Sequence, residues 1–238
     1  MDLLPTGPGM KLLAAFLLAT AAQASSLPAE ITAEYHVTNL GVKIGHMKES
    51  FVRKGDDYSI RSVTRAEGPL KMFLDDQVTL ASSGKVGPQG LKPLHFEQRR
   101  ARDTRRDVDA TFDWQRGVLL SRYRGEQREI PLPRDTQDRL SLMYQLMRAA
   151  PLGGTMKIPM SNGRRVEVYT YRFVGEERVA TPAGEFDTLH FERVTVDAKQ
   201  NRADVWLAKG HSNFPVRIVF DDPDGLRLEQ SLVALQVR

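Results

Sequence analysis

The chain has 238 residues, with 34 Lys and Arg against 30 Asp and Glu, a formal net charge of +4, 41% hydrophobic and 27% charged residues, and no cysteine. That balance excludes a disordered chain, a collagen-like repeat and a disulfide scaffold. The missing cysteine removes thiol catalysis, CxxC redox chemistry and every cysteine-containing zinc site.

Residues 1–24 read as an address. Met10-Lys11 precedes an apolar run over 12–19, and Ala22-Gln23-Ala24 supplies small residues at a cleavage point, which are the parts of a secretory signal peptide. Residues 2–9 carry Pro5, Pro8 and an acid and suit no positively charged n-region, so Met10 is a candidate start. The run falls short of the roughly 20 residues that span a bilayer, and nothing later approaches that length. The expectation is a periplasmic or secreted chain with no transmembrane segment, residues 25–238 forming one β-rich domain.

Period-two alternation then recurs in chain order. Ile31, Ala33, Tyr35 and Val37 share one face, as do Val108, Ala110, Phe112 and Trp114 further on. Tyr169, Tyr171 and Phe173 form an aromatic row, followed by Leu189 with Phe191, Val216 with Ile218 and Phe220, and Leu226 with Leu228, Leu232 and Ala234. Turn residues separate the runs at Gly55-Asp56, Ser82-Ser83-Gly84, Arg116-Gly117, Asn162-Gly163, Pro182-Ala183-Gly184 and Pro223-Asp224-Gly225. Connections that short join antiparallel strands, and about eleven or twelve strands are expected.

One segment breaks the pattern. Over 135–150, Leu140, Met143, Tyr144 and Met147 recur at helical spacing, with Leu142 and Leu146 widening the stripe. Asp135 or Thr136 can cap the start and Gly153-Gly154 the end. A helix this apolar needs cover on most sides, so the predicted fold is mainly β: a curved antiparallel sheet or half-barrel wrapped around one central α-helix.

Chemistry is sparse. The histidines are scattered; His190 and Glu192 share a strand face but lack a third ligand, so no metal site is expected, and no cofactor is implied. The G-x-S-x-G elbow is absent. Asp138 and Ser141, three apart, read first as a helix-start hydrogen bond. Asp107, Asp109 and Asp113 read as a solvated row whose neighbouring arginines keep it ionised. No catalytic residue is assigned.

The charge feature that stands out is Arg99, Arg100, Arg102, Arg105 and Arg106, interspersed with Asp103 and Asp107 at a hairpin tip. In an exported protein the polyanions at hand are lipid headgroups, glycolipid phosphates and acidic glycans, not nucleic acid, and a guanidinium fork matches phosphate. Met143 and Met147, with Tyr169, Tyr171 and Phe173, suit either a packed core or an acyl-sized pocket. The candidate ligand-binding residues are therefore Arg99, Arg100, Arg105, Arg106, Met143, Met147, Tyr169, Tyr171 and Phe173.

Phe112-Asp113-Trp114, Gln137-Asp138-Arg139-Leu140-Ser141, Thr181-Pro182-Ala183-Gly184-Glu185-Phe186, Val205-Trp206-Leu207 and Pro215-Val216-Arg217-Ile218 occur in an order that resembles the exported bacterial proteins grouped as domain of unknown function family 3108. The resemblance covers about 30–236 and implies no catalytic residue. Its pattern is similar to the lipoprotein-carrier type of half-barrel, which binds acyl chains, an analogy of fold alone. Three readings follow. The first is a non-enzymatic periplasmic protein binding an amphipathic envelope lipid, acyl chain or anionic glycolipid. The second is an envelope adaptor docking a protein partner through Trp206 or sheet edges. The third is a glycan or ester hydrolase using Asp138 with Ser141, or Asp107 with Asp109.

Overall fold

The structure, a computed structural model, describes residues 27–68, 77–149, 154–195, 197 and 199–238. The expected signal peptide at 1–24, and Gly153, lie outside the described residues. Strands β1 (Glu30–Asn39), β2 (Val42–Lys54), β3 (Asp57–Ala66), β4 (Gln77–Gly87) and β5 (Gly90–Arg100) come first, then β6 (Val108–Asp113), β7 (Val118–Tyr123) and β8 (Glu126–Pro131). The short β9 (Gln137–Asp138) leads into the helix α1 (Ser141–Ala149). The chain continues through β10 (Thr155–Ser161), β11 (Val166–Thr181), β12 (Gly184–Val194), β13 (Arg202–Ala208), β14 (Phe214–Asp221) and β15 (Arg227–Val237).

All the strands belong to one 15-stranded sheet, in the order β8-β7-β6-β5-β4-β3-β2-β1-β15-β14-β13-β12-β11-β10-β9. Neighbours pair antiparallel except β9 with β10. The mainly-β expectation holds, with more strands than the alternation suggested. Two of the additional ones have no alternation to read: β8 is exposed along nearly its whole length, and β9 is two residues taken from the start of the expected helix.

The edge strands β8 and β9 are consecutive in the chain, so residues 132–136 bring the two edges of the sheet together. They meet through side chains and turns rather than a shared ladder. Ser121 Oγ donates to Gly163 O at 2.6 Å, from β7 to the β10–β11 turn. Gly163, at φ +81°, presses onto Val108 and Phe96 so closely that a Cβ would stand 2.4 Å from Val108 Cγ1.

The helix is shorter than 135–150, and its start has a local cause. The Asp138 carboxylate accepts the backbone N–H groups of Leu140 at 2.8 Å and Ser141 at 2.9 Å. Asp138, not Asp135 or Thr136, is the capping residue, and together with Gln137 it pairs with β10. The turns of α1 point apolar groups in two directions. Leu140, Tyr144 and Met147 join a cluster with Tyr35, Phe51, Tyr58 and Val216, while Leu142 and Leu146 join Tyr171, Phe191 and Leu207. The Tyr144 and Phe51 rings stack with centroids 4.8 Å apart. Each such side chain taken from water contributes about 1.5–3 kcal/mol.

Two strand faces run differently from the alternation. A bulge at Glu34/Tyr35 puts Leu232 opposite Tyr35 and Ala234 opposite Glu34, so Leu232 is buried and Ala234 exposed. A register shift between Trp206 and Leu207 buries Val216 and Val219 in β14 while Ile218 and Phe220 are partly exposed. Ser82-Ser83-Gly84 is not a turn but the middle of β4. There a bulge lets Gly84 approach β5 so closely that a Cβ would meet Lys92 O at 2.2 Å.

Candidate functional site

The connection from β5 to β6 is a hairpin tip carrying a single 3-10 turn, Thr104–Arg106. Its acids fold it. Asp107 Oδ1 accepts the Arg100 backbone N–H at 2.8 Å, and Asp103 Oδ1 accepts Arg105 Nε at 3.1 Å. Arg99 is held more firmly, donating to Val108 O at 2.7 Å and standing 3.3 Å from Asp109 Oδ2 and from Glu97 Oε2. Arg105 and Arg106 project from the tip, with the Arg105 side chain 87% exposed.

Beside the tip lies an open cleft of about 890 Å3, lined on one wall by Arg99, Arg105 and Arg106 and on the other by Arg122, Tyr123 and Arg124. Five arginines in its lining face three aspartates, Asp103, Asp107 and Asp109. Tyr123 and Arg124 also border a cleft of about 260 Å3 that Arg128, Arg164 and Arg165 complete. The Arg164 guanidinium lies 4.4 Å from the Tyr123 ring centroid and that of Arg124 lies 5.3 Å from it. Three turns, β5–β6, β7–β8 and β10–β11, thus place one cationic surface at the end of the sheet. Such a surface has the chemistry to bind oxyanions, because each guanidinium offers paired N–H donors to one phosphate or carboxylate.

The structure brings together Arg99, Arg105 and Arg106 of the expected residues. Arg100 does not line the cleft, and its backbone instead fastens the tip. Met143, Tyr169, Tyr171 and Phe173 meet in one cluster, whereas Met147 belongs to the other. Tyr171 and Met147 are 2% and 3% exposed, packed as core. Arg122, Arg124, Arg164 and Arg165 escaped the sequence reading. The pairing of Asp109 with Arg122 across β6 and β7 has a trace in the alternation, but Arg164 reaches Tyr123 only because the sheet edges close.

Two acids lie elsewhere, one fully and one partly buried. Asp138 is fully buried and also accepts Ser82 Oγ at 2.5 Å; Ser82 in turn meets Tyr58 Oη at 3.1 Å. Burial raises the Asp138 pKa, and the hydrogen bonds from Ser82, Ser141 and Leu140 work against that rise. The Ser141 hydroxyl is fully buried and accepts the Asp138 N–H at 2.9 Å, a helix-start arrangement with its oxygen turned away from solvent. Glu49, on the inner face of β2, accepts Tyr144 Oη at 3.0 Å. Burial pushes its pKa up to about 7, and the Tyr144 hydrogen bond opposes this.

His190 does not combine with Glu192. Its Nε2 meets Asp204 Oδ1 at 2.8 Å and its Nδ1 meets Glu177 Oε1 at 3.1 Å, while Glu192 pairs with Arg172. Trp206 is 8% exposed. It stacks on His190 at 4.4 Å and lies beneath Arg217 at 4.7 Å, so its ring is covered by its own sheet rather than offered to a partner. A three-ligand group the sequence did not reveal is His95, Glu97 and Asp109, whose ligand atoms all lie within 4.8 Å of one another. The cross-strand pairing of Glu97 with Asp109 creates it, and Arg99 is ion-paired with both carboxylates.

Among the described residues no helix is long and apolar enough to cross a membrane. The DUF3108 family, described as proteins of unknown function, matches residues 31–231. A β-barrel-like protein of domain of unknown function DUF1849 from Brucella abortus superposes with a TM-score of 0.59 at 15% identity, covering 90% of this chain and 99% of that one. That likeness is one of fold. A provisionally assigned lipoprotein from Parabacteroides distasonis gives a TM-score of 0.37 at 11% identity, covering 88% of this chain and 97% of its own. A provisionally assigned outer membrane lipoprotein-sorting protein domain from Vibrio parahaemolyticus gives 0.27 at 11% identity, covering 88% and 85%. No curated protein matches the sequence.

Proposed function

The chain belongs to the DUF3108 family of proteins of unknown function, and we propose that it is a non-enzymatic protein of the cell envelope that binds the anionic part of an amphipathic envelope molecule. In this reading residues 1–24 direct export and are removed, and the remainder is one half-barrel with α1 as its inner rod. The observation that carries the reading is the cleft in which Arg99, Arg105, Arg106, Arg122 and Arg124 outnumber the aspartates. Lipid phosphates and the phosphates or carboxylates of glycolipids are the ligands such a surface accommodates outside the cytoplasm.

The test is co-sedimentation of the purified protein with vesicles of phosphatidylglycerol and, in parallel, of phosphatidylcholine. Binding to the anionic vesicles alone, abolished by the combined Arg105→Glu, Arg106→Glu and Arg124→Glu changes, is the expected result. Equal binding to both vesicles, or binding that survives the charge reversal, removes the proposal.

A second reading, an adaptor docking a protein partner, is favoured by the β1–β2 turn. Leu40 and Val42 are 76% and 65% exposed there, and Leu226 at the neighbouring β14–β15 turn is 47% exposed. Crosslinking in cells through position 40 that recovers one specific protein supports it, and recovery of none discards it.

A further inference from the structure

His95, Glu97 and Arg99 alternate along β5 on the face opposite the buried Phe96 and Gln98, so all three stand on one side of the sheet. Asp109 of β6 lies directly across from Glu97, and Thr111 directly across from His95. Two carboxylates facing each other on neighbouring strands repel. The Arg99 guanidinium is shared between them, 3.3 Å from Glu97 Oε2 and 3.3 Å from Asp109 Oδ2. Arg122, across β7 from Asp109, makes no ion pair with it among the described residues.

The other side of the acid pair is a ring nitrogen. His95 Nε2 stands 3.0 Å from Glu97 Oε1 and 3.6 Å from Asp109 Oδ2. A single N–H points at one oxygen, so a proton on Nε2 does not serve both, whereas a cation among the three atoms does. Ligand atoms at about 2.0–2.1 Å from a tetrahedral Zn2+ stand about 3.3 Å apart, and the two distances from Nε2 bracket that spacing. All three ligand atoms lie within 4.8 Å of one another. On the far side of the ring, His95 Nδ1 is 3.4 Å from Thr111 Oγ1, a hydroxyl able to accept the Nδ1 proton and leave the Nε2 lone pair to a metal. Arg99 steadies Glu97 through Oε2 from outside in the same manner.

A second histidine between two acids is built otherwise. His190 meets Asp204 through Nε2 and Glu177 through Nδ1, so its carboxylates sit on opposite sides of the ring and no single nitrogen faces both. We infer that His95 Nε2, Glu97 Oε1 and Asp109 Oδ2 bind one Zn2+ between β5 and β6, with a fourth position left for water or an anion. An imidazole among the ligands selects Zn2+ over Ca2+ and Mg2+, which take oxygen ligands. The ion takes Asp109 Oδ2 from Arg99, which keeps Glu97 Oε2 and its bond to Val108 O. Asp109 also lines the hairpin cleft, so Zn2+ adds positive charge at its edge, but the metal site does not depend on what the cleft binds.

Calorimetric titration of the untagged full chain with ZnCl2, and separately with CaCl2, tests this. The expected result is one Zn2+ bound per chain, weakened at least about 10-fold by His95→Gln and by Glu97→Gln, since losing a ligand costs no less than losing an outer partner of one. His190→Gln should bind Zn2+ as the parent does, and Ca2+ should bind more weakly than Zn2+. The His95 Nε2 resonance of the parent should shift with the first equivalent of Zn2+, a reading that stands if a variant does not fold. Unchanged affinity in His95→Gln, loss of binding in His190→Gln, Ca2+ bound as tightly as Zn2+, or a His95 resonance indifferent to Zn2+ overturns the inference. Failure of vesicle binding with these effects intact would remove the hairpin-cleft reading alone.

Discussion

Asp138 and Ser141 hold each other at the start of α1. The Asp138 carboxylate accepts the Ser141 N–H at 2.9 Å, and the Ser141 hydroxyl accepts the Asp138 N–H at 2.9 Å. This reciprocal pair satisfies donors that a helix end leaves open, at residues wholly buried from solvent. Asp138→Ala removes three acceptances at once, from Leu140, Ser141 and Ser82, and should cost about 2–4 kcal/mol. Asp138→Asn keeps an acceptor oxygen and should cost less. Urea denaturation midpoints check the order, and equal losses would mean that charge rather than capping matters.

Glu49 gives the fold a pH dependence of definite sign. Its pKa is pushed up to about 7 from 4.5, so between those values the native state holds a proton that the unfolded chain releases. Stability is therefore greatest below about pH 4.5 as far as this group is concerned, falls as pH rises through 7, and is level above. A shift of that size corresponds to an order-of-magnitude loss of about 1–3 kcal/mol, discounted for partial solvent access. Glu49→Gln should be more stable than the parent at pH 8 and nearly matched to it at pH 4.5. Raised Asp138 adds a slope of the same sign, so the slope specific to Glu49 is the difference between parent and variant denaturation curves.

Closure of the sheet depends on Gly163. Alanine there meets both a positive φ and a Cβ contact of 2.4 Å with Val108, with Phe96 behind it. Gly163→Ala should destabilise by about 2–3 kcal/mol. Ser121→Ala, which loses only the 2.6 Å hydrogen bond to Gly163 O, should cost about 1 kcal/mol. Hydrogen exchange should show the loss concentrated in β7, β8 and the β10–β11 turn. Protection lost evenly over the sheet would mean that the edges are not joined here.

The sequence was legible where one rule governed each residue. Ile31, Ala33, Tyr35 and Val37 alternate because one face of β1 is core, and all four are buried. The hairpin tip after Arg99 announced itself by charge and by the strands flanking it. It was less legible where two rules competed. Over 135–140 helical spacing continued, yet the Asp138 side chain captured the backbone and pairing with β10 took Gln137 and Asp138. The bulges at Glu34/Tyr35 and Trp206/Leu207 invert alternation without leaving a residue that marks them. The group at His95 was unreadable for another reason. His95 and Glu97 share a strand face in the sequence, but Asp109 joins them only through the register of β6 against β5.

The stack of Arg164 on Tyr123 should matter to ligand binding beyond its charge. A guanidinium 4.4 Å from a ring centroid is held with its N–H edges directed outward, so less freedom is lost when an anion binds. Tyr123→Leu keeps every charge of the surface and should still weaken binding to phosphatidylglycerol vesicles about 3- to 5-fold, the equivalent of about 0.5–1 kcal/mol. Arg164→Ala should weaken binding further, and in the double variant the two effects should not add, because each change destroys the same preorganised pair. Salt separates orientation from bulk charge. Raising ionic strength from about 0.1 M to 1 M shortens screening from about 10 Å to 3 Å, and should weaken the parent and Tyr123→Leu proteins by the same factor. A Tyr123→Leu protein whose deficit disappears in salt would show that the ring acts only by bringing charges together.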